Sequence, residues 1–381
     1  FSRRSASASV KKLFVQLKCM TMPVMAQIAA LEEELRNTPY NKATEHHIGL
    51  LKAKLARLRA KASAVAGRKG GRGFALPKAG DATVVIVGFP SVGKSTLLAK
   101  LTGAKPRIAP WPFTTLSVLP GMLDYQGAEI QILDLPGLLS GAASGAGRGR
   151  EVLAVVRTAD LIVLLLDPLN AEEQLDVLNT ELEKAGIRLN RPRPDVRIRR
   201  MSSGGLRVVA PKSLSLAHET VKAVVRELGL LNAEIVIGHD LGLDELIDAV
   251  EGNRVYLPGL VVLNKVDTVH DPGLLSLLCS KLGALPISAE RGTGLDELKA
   301  ALWSRLSLKR LFLKEPGRKA SAKPLIVRGR VDVAQLCKRL RLRGKAVGAK
   351  IWGSSAKFEG QIVGLEHELA DRDVIEIQLA R

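Results

Sequence analysis

The chain has 381 residues, with 57 Lys and Arg against 38 Asp and Glu, a net charge of +19, and 46 % hydrophobic but only 3 % aromatic content. This length predicts about two to four units around aliphatic cores, and the charge points to polyanionic partners, although a merely basic, soluble protein is the plainer alternative. Three scattered cysteines (Cys19, Cys279, Cys337) argue against a disulfide framework and a zinc site and fit a cytoplasmic location. The longest clear apolar run, Leu161–Leu166, is far short of the roughly 18 residues of a membrane span, so no membrane partner is expected.

Residues 1–24 open with FSRRSASASVKKLF and contain no acid. This composition fits a transit peptide or a stretch read in ahead of a start at Met20, Met22 or Met25. The helical pattern after Pro23 favours the second, and no fold is expected in 1–24. From 25 to 66, Ile28, Leu31 and Leu35 and then Ile48, Leu51, Leu55 and Leu58 repeat at helical spacing. They predict a helical hairpin whose basic side is a solvated face or a nucleic-acid contact. His46 and His47 lack a third ligand and are read as surface residues. Residues 67–80, GRKGGRGFALPKAG, form a basic glycine-rich linker.

Residues 83–101, TVVIVGFPSVGKSTLLAKL, organise the rest. An apolar strand stops at Gly88, a Gly-x-x-x-x-Gly-Lys-Ser loop follows, and leucines then recur at helical spacing, which is the pattern of a phosphate-binding loop. Glycines let successive N–H groups turn toward a polyphosphate, and the helix N-terminus adds its positive dipole end. Gly88, Phe89, Pro90, Ser91, Val92, Gly93, Lys94, Ser95 and Thr96 are therefore the candidate cradle. Lys94 would reach the β- and γ-phosphates, and the Ser95 hydroxyl would ligate Mg2+. In 109–116, APWPFTTL, Thr114 or Thr115 can close over the γ-phosphate and the metal; the residues alone leave both open.

A further strand runs into Asp134, Leu135, Pro136 and Gly137. The Asp134 carboxylate sits where Mg2+ is held through water, and the Gly137 N–H can meet the γ-phosphate. The basic glycine-rich stretch 140–150 reads as a switch loop. GLVVLNKVD (259–267) then delivers Asn264, Lys265, Val266 and Asp267. The Asp267 carboxylate can accept from guanine N1 and its 2-amino group, whereas adenine would leave it unpaired. Asn264 braces the base and the loop, and the Lys265 stem packs on the ring. In LPISA, Ser288 and Ala289 can close over the guanine oxygen.

GFPSVGKSTLL, PFTTL, QILDLPGLL followed by GRGR, LNKVD, PISA and VEGNRVYLPG together resemble the developmentally regulated GTP-binding proteins, a branch of the Obg-related GTPases. The resemblance runs from about residue 25 to 381. It implies an α/β fold: a P-loop GTPase doubly wound sheet with an inserted small α+β domain, an N-terminal helical hairpin and a C-terminal β-grasp (TGS) domain. The expected divisions are hairpin 25–66, GTPase domain 81–171 and 253–312, insertion 172–252 and TGS domain 318–381. Asp134 and Asn264 lie about 130 residues apart, more than a doubly wound sheet needs there, which independently supports an insertion.

Within the insertion, the basic, proline-containing segment 190–200 is a solvated loop or an RNA contact, followed by a short strand LRVVA and helices near 220–227 and 243–250. In the TGS domain, strands are predicted at 324–327, 349–352 and 373–379, with an amphipathic helix over 331–341. Its basic end, from Lys338 to Arg343, is the local candidate for an RNA contact through phosphates or shape, because no aromatic platform is evident.

By the same resemblance the cofactors are GTP/GDP and Mg2+, the metal ligands are Ser95 and Thr115, and Lys94, Thr115 and Gly137 serve hydrolysis. Leu138 stands where Ras-type proteins carry the glutamine that orients water. Ser91 stands where potassium-using relatives carry asparagine, which leaves K+ use open. The expected function is a GTP-hydrolysing switch on ribosomes or structured RNA, slow until a partner acts, with a dedicated stabilising partner protein also open. The alternatives are a GTP-binding RNA scaffold with negligible turnover and a cytoskeletal or signalling GTPase.

Overall fold

The structure, a computed structural model, describes residues 24–67, 79–103, 119–135, 155–342 and 346–379. Two compact units emerge, one of residues 73–191 and 255–381 and the other of 1–72 and 192–254.

The larger unit is built on a six-stranded sheet in the order β11-β10-β4-β1-β3-β2. Its strands are β1 (Ala82–Val87), β2 (Leu119–Tyr125), β3 (Ala128–Asp134), β4 (Leu161–Leu166), β10 (Gly259–Leu263) and β11 (Leu285–Pro286). β1 and β4 are buried at every position, as their unbroken apolar runs require when both sheet faces are covered. All pairings are parallel except β2 on β3, which closes the edge as a hairpin through Gln126 and Gly127. Ile86, Leu97 and Leu298 share one sheet-face core with α3 (Lys94–Thr102) and α8 (Leu295–Arg305). α4 (Ala171–Lys184) covers the other face through Leu178 and Leu182, with α7 (Pro272–Leu282) beside it. After α4, β5 (Ile187–Leu189) pairs in parallel with β9 (Val255–Leu257), so the chain leaves and rejoins this unit on neighbouring strands.

The same unit continues into a five-stranded sheet, β13-β12-β16-β14-β15. Its members are β12 (Leu308–Leu313), β13 (Leu325–Arg328), β14 (Ala346–Trp352), β15 (Gln361–Val363) and β16 (Val374–Leu379), with α9 (Val333–Arg339) packed on one face. The expected end of the GTPase domain at 312 therefore shifts: β12 is a strand of the TGS sheet, held between β13 and β16. Leu308 and Ile326 nevertheless bury into the core of the nucleotide sheet. Arg310 clamps Asp371 with two bonds of 3.1 and 2.6 Å and lies over the Trp303 ring.

In the smaller unit, α1 (24–37) and α2 (Glu45–Gly67) form the expected hairpin, but it is not a separate body. Ile48, Ala53 and Ala56 of α2 share a core with α5 (His218–Glu227), α6 (Leu243–Glu251) and a three-stranded sheet. Gly49 allows the close approach, since a Cβ there would press on Val224 and Leu243. That sheet runs β6-β8-β7, from β6 (Val196–Arg200), β7 (Leu206–Val209) and β8 (Ala233–Ile237). The inserted module thus spans 192–254 rather than 172–252, because Leu178, Leu182 and Ile187 are buried against the nucleotide sheet. Among the described residues no helix is long and apolar enough to cross a membrane.

Candidate functional site

β1 ends at Val87, and Gly88 carries the chain against β4 so tightly that a Cβ would collide with the Leu165 carbonyl. The loop then turns through two left-handed residues, Ser91 at φ 63° and Gly93 at φ 92°, before α3 begins at Lys94. Glycine takes that conformation without strain, whereas serine does so less readily than asparagine. Lys94 bends back over the loop, and its ammonium donates to the carbonyls of Gly88 (3.1 Å) and Phe89 (2.8 Å). Burial holds its pKa below the ordinary lysine value, with the Asp134 charge acting in the opposite direction.

Asp134, at the end of β3, lies beside this helix start, and Ser95 Oγ donates to its Oδ2 at 2.6 Å. The other carboxylate oxygen, Oδ1, is buried without a hydrogen-bond partner among the described residues. An orphaned buried carboxylate oxygen next to a serine hydroxyl, at the mouth of a phosphate loop, is an oxygen-only donor set that fits Mg2+.

The base-side loops leave β10 and β11. Asn264 is buried and ties three segments together: its Nδ2 donates 2.8 Å to the Val92 carbonyl, and its Oδ1 accepts the Ala289 N–H at 2.9 Å. A Cβ on Gly93 would run into that same amide. Lys265 adopts φ 60°, and its ammonium meets Asp167 at 3.0 Å. Val266 is tied by its N–H to the Ile287 carbonyl, which places Asp267 beside Ser288. A hydrogen bond from Ser288, helped by the Asp267 backbone N–H and least by the nearby Arg291 charge, holds the Asp267 pKa below the usual carboxylate value. It is therefore charged and acceptor-only at neutral pH, as binding an N–H edge requires.

Gly88 to Ser95, Asp134, Asn264, Lys265, Asp267, Ser288 and Ala289 thus gather around the strand ends of one sheet, with Thr96 on the first turn of α3, Leu135 just past β3 and Val266 in the base loop. Thr114, Thr115, Pro136, Gly137, Leu138 and the stretch 140–150 lie outside the described residues. Two participants escape motif reading. Asp167, at the end of β4, anchors Lys265, takes the Leu169 N–H on its own carboxylate and is itself held at its backbone N–H by Gln174. Arg291 stands 3.6 Å from Asp267. Only the position of Asp167 at the end of an apolar strand hinted at a role.

A sheet that gathers a phosphate cradle and a guanine-reading loop at its carboxyl edge is that of a P-loop GTPase. The family described as "50S ribosome-binding GTPase" matches residues 83–197, the C-terminal region of the MMR_HSR1 domain matches 203–308 and the TGS domain matches 317–378. Human developmentally-regulated GTP-binding protein 2 is 41 % identical over 363 residues, covering 93 % of this chain and 99 % of that protein. An uncharacterized GTP-binding protein of Methanocaldococcus jannaschii is 45 % identical over 370 residues, covering 94 % of each. The chain belongs to the developmentally regulated GTP-binding protein family. Among solved structures, the G domain of the T. maritima FeoB iron transporter matches at 21 % identity over 59 % of this chain and 98 % of that one, with a TM-score of 0.33.

Proposed function

We propose that this chain hydrolyses GTP as a Mg2+-dependent switch and does so in the cytoplasm, on ribosomes or structured RNA. The observation that carries the nucleotide part is the Asn264 bridge, which locks the loop bearing Asp267 to the phosphate loop, so that base choice and phosphate binding belong to one rigid site. Ser95 and Thr115 would hold the metal directly and Asp134 through water. Mg2+ neutralises charge between the β- and γ-phosphates when bound. Lys94 would reach the β- and γ-phosphates, and the Gly137 N–H would meet the γ-phosphate. The net charge of +19 and the family described as ribosome-binding support the RNA partner.

Leu138 cannot hydrogen-bond water, so turnover should be slow until a cation or partner contributes. Ras, with its glutamine, manages only about 10⁻⁴ s⁻¹ alone, and an arginine supplied by a partner adds about 10⁵-fold. Single-turnover hydrolysis, measured with and without ribosomes and in sodium or potassium buffer, tests this. A ribosome- or potassium-dependent gain supports the switch, whereas uniformly negligible turnover favours a GTP-binding scaffold. Rapid hydrolysis by the isolated chain in sodium overturns the need for a partner.

A further inference from the structure

The sheet β6-β8-β7 buries one face and exposes the other. Ile198, Leu206, Val208 and Ile235 point into the core shared with α2, α5 and α6. Strand alternation puts arginines on the opposite face, and the register arranges them. Arg199 lies across from Glu234, and Glu234 across from Arg207, so one carboxylate sits between two guanidiniums. One step along, Arg197 lies across from Val236, and Val236 across from Val209, with both valines exposed.

These guanidiniums are available for a ligand. The Arg197 and Arg207 side chains are 84 % and 76 % exposed, and their ion pairs with Asp195 and Glu234 are long, at 3.8 Å each. Exposed pairs of this kind contribute almost nothing. Arg199 makes no ion pair with a described residue. On α2, by contrast, Lys52, Arg57 and Arg59 pair with Asp244, Glu227 and Glu32.

We propose that this open face, through Arg197, Arg199 and Arg207, is where the chain grips double-stranded RNA. The inference rests on the RNA reading above and assigns it to one surface. Guanidinium forks match phosphate oxygens, and their neighbours in one strand stand about 6.6–6.8 Å apart on a rigid frame. Residues 192–254 contain no Phe, Trp or Tyr, so the module lacks the aromatic platform on which single-strand binders stack successive bases. Duplex RNA, recognised by phosphates and by the 2′-hydroxyls of a shallow groove, needs no such platform.

The test uses the full chain and a fluorescent RNA duplex of about 16 base pairs, the span of a known duplex-binding module, beside one of its single strands, in an anisotropy titration over a salt series. The variant Arg197→Ser/Arg199→Ser/Arg207→Ser should bind duplex at least about tenfold more weakly, with a log–log salt slope shallower by about two to three. Glu234→Gln should bind more tightly, a gain that misfolding cannot mimic. GDP affinity should stay the same in both variants. Wild-type affinity and slope in the triple variant would move the contact elsewhere and overturn the proposal while leaving RNA binding intact. Equal loss on the single strand would overturn duplex recognition. Tighter binding of polyglutamate than of duplex, lost in the triple variant, would reassign the face to an acidic protein. If the wild type binds neither RNA, the RNA reading itself falls.

Discussion

At Asn264 one side-chain amide serves two loops at once, giving its N–H to Val92 and taking the N–H of Ala289. Asp267 depends on that bracing, because a carboxylate selects guanine only if it is held where N1 and the 2-amino group arrive. Asp267→Asn replaces an acceptor pair by a donor and an acceptor, so GTP affinity should fall by about 2–3 kcal/mol while xanthosine triphosphate gains. Calorimetry with both nucleotides checks this, and unchanged GTP affinity would contradict the assignment. Lys94 yields a pH prediction. Burial lowers its pKa in the free protein, whereas polyphosphate must raise it again. Nucleotide binding should therefore take up a proton in the alkaline window that opens below the ordinary lysine value. Affinity should fall as pH rises through that window and be flat below it, where Lys94 is charged in both states. Titrations in buffers of different ionisation enthalpy measure the uptake directly.

Among the elements, α9 shows how a short helix is held at its start. Asp332 accepts the Gln335 N–H at 2.7 Å, and the Gln335 side chain reaches back toward the Asp332 N–H, a reciprocal cap. Asp332→Ala should cost about 1 kcal/mol, visible in the full chain as roughly fivefold faster amide exchange across Val333–Arg339. The helix was legible from its apolar period, but its expected start at 331 falls ahead of Asp332, which caps the helix from outside rather than opening it. The phosphate loop and the base loop were equally legible, because glycine, lysine and asparagine carry chemistry that few other residues replace. β6 was not: in NRPRPDVRIRR the prolines and arginines read as a loop, although Val196, Arg197, Ile198 and Arg199 alternate as a half-buried strand should. β12 was missed for a related cause. No strand was predicted at its basic residues, because Arg310 is neutralised by Asp371, a partner 61 positions away that no local pattern reveals. β5, with three residues, is too short to show any period, and its stability comes from pairing with β9.

Across the molecule, the TGS sheet and the nucleotide sheet share more than a peptide bond. Leu308 and Ile326 complete the nucleotide core, Trp303 meets Tyr125 edge-on while carrying Arg310, and Arg328 reaches the nearly buried Asp160 at 2.6 Å. Asp160 also accepts the Thr83 N–H at the start of the strand that feeds the phosphate loop. Truncation after Leu306 should thus weaken the nucleotide domain itself, since each lost aliphatic side chain is worth about 1.5–3 kcal/mol. Thermal melts of the truncated and full chains, both saturated with GDP, measure the difference, and equal midpoints would refute the coupling. The β5–β9 pair carries a different consequence. Parallel neighbours cannot be joined by a tight turn, so the peptide between Leu189 and Val255 must, whatever else it does, serve as a crossover. The nucleotide sheet asks of it only reach. Removing 192–254 in favour of about a dozen Gly and Ser residues, together with the helices before residue 68, should therefore leave guanine nucleotide affinity intact, whereas a two-residue joint should abolish it. The inserted module then behaves as an exchangeable cassette, tied to the sheet by the span it bridges and not by its own side chains.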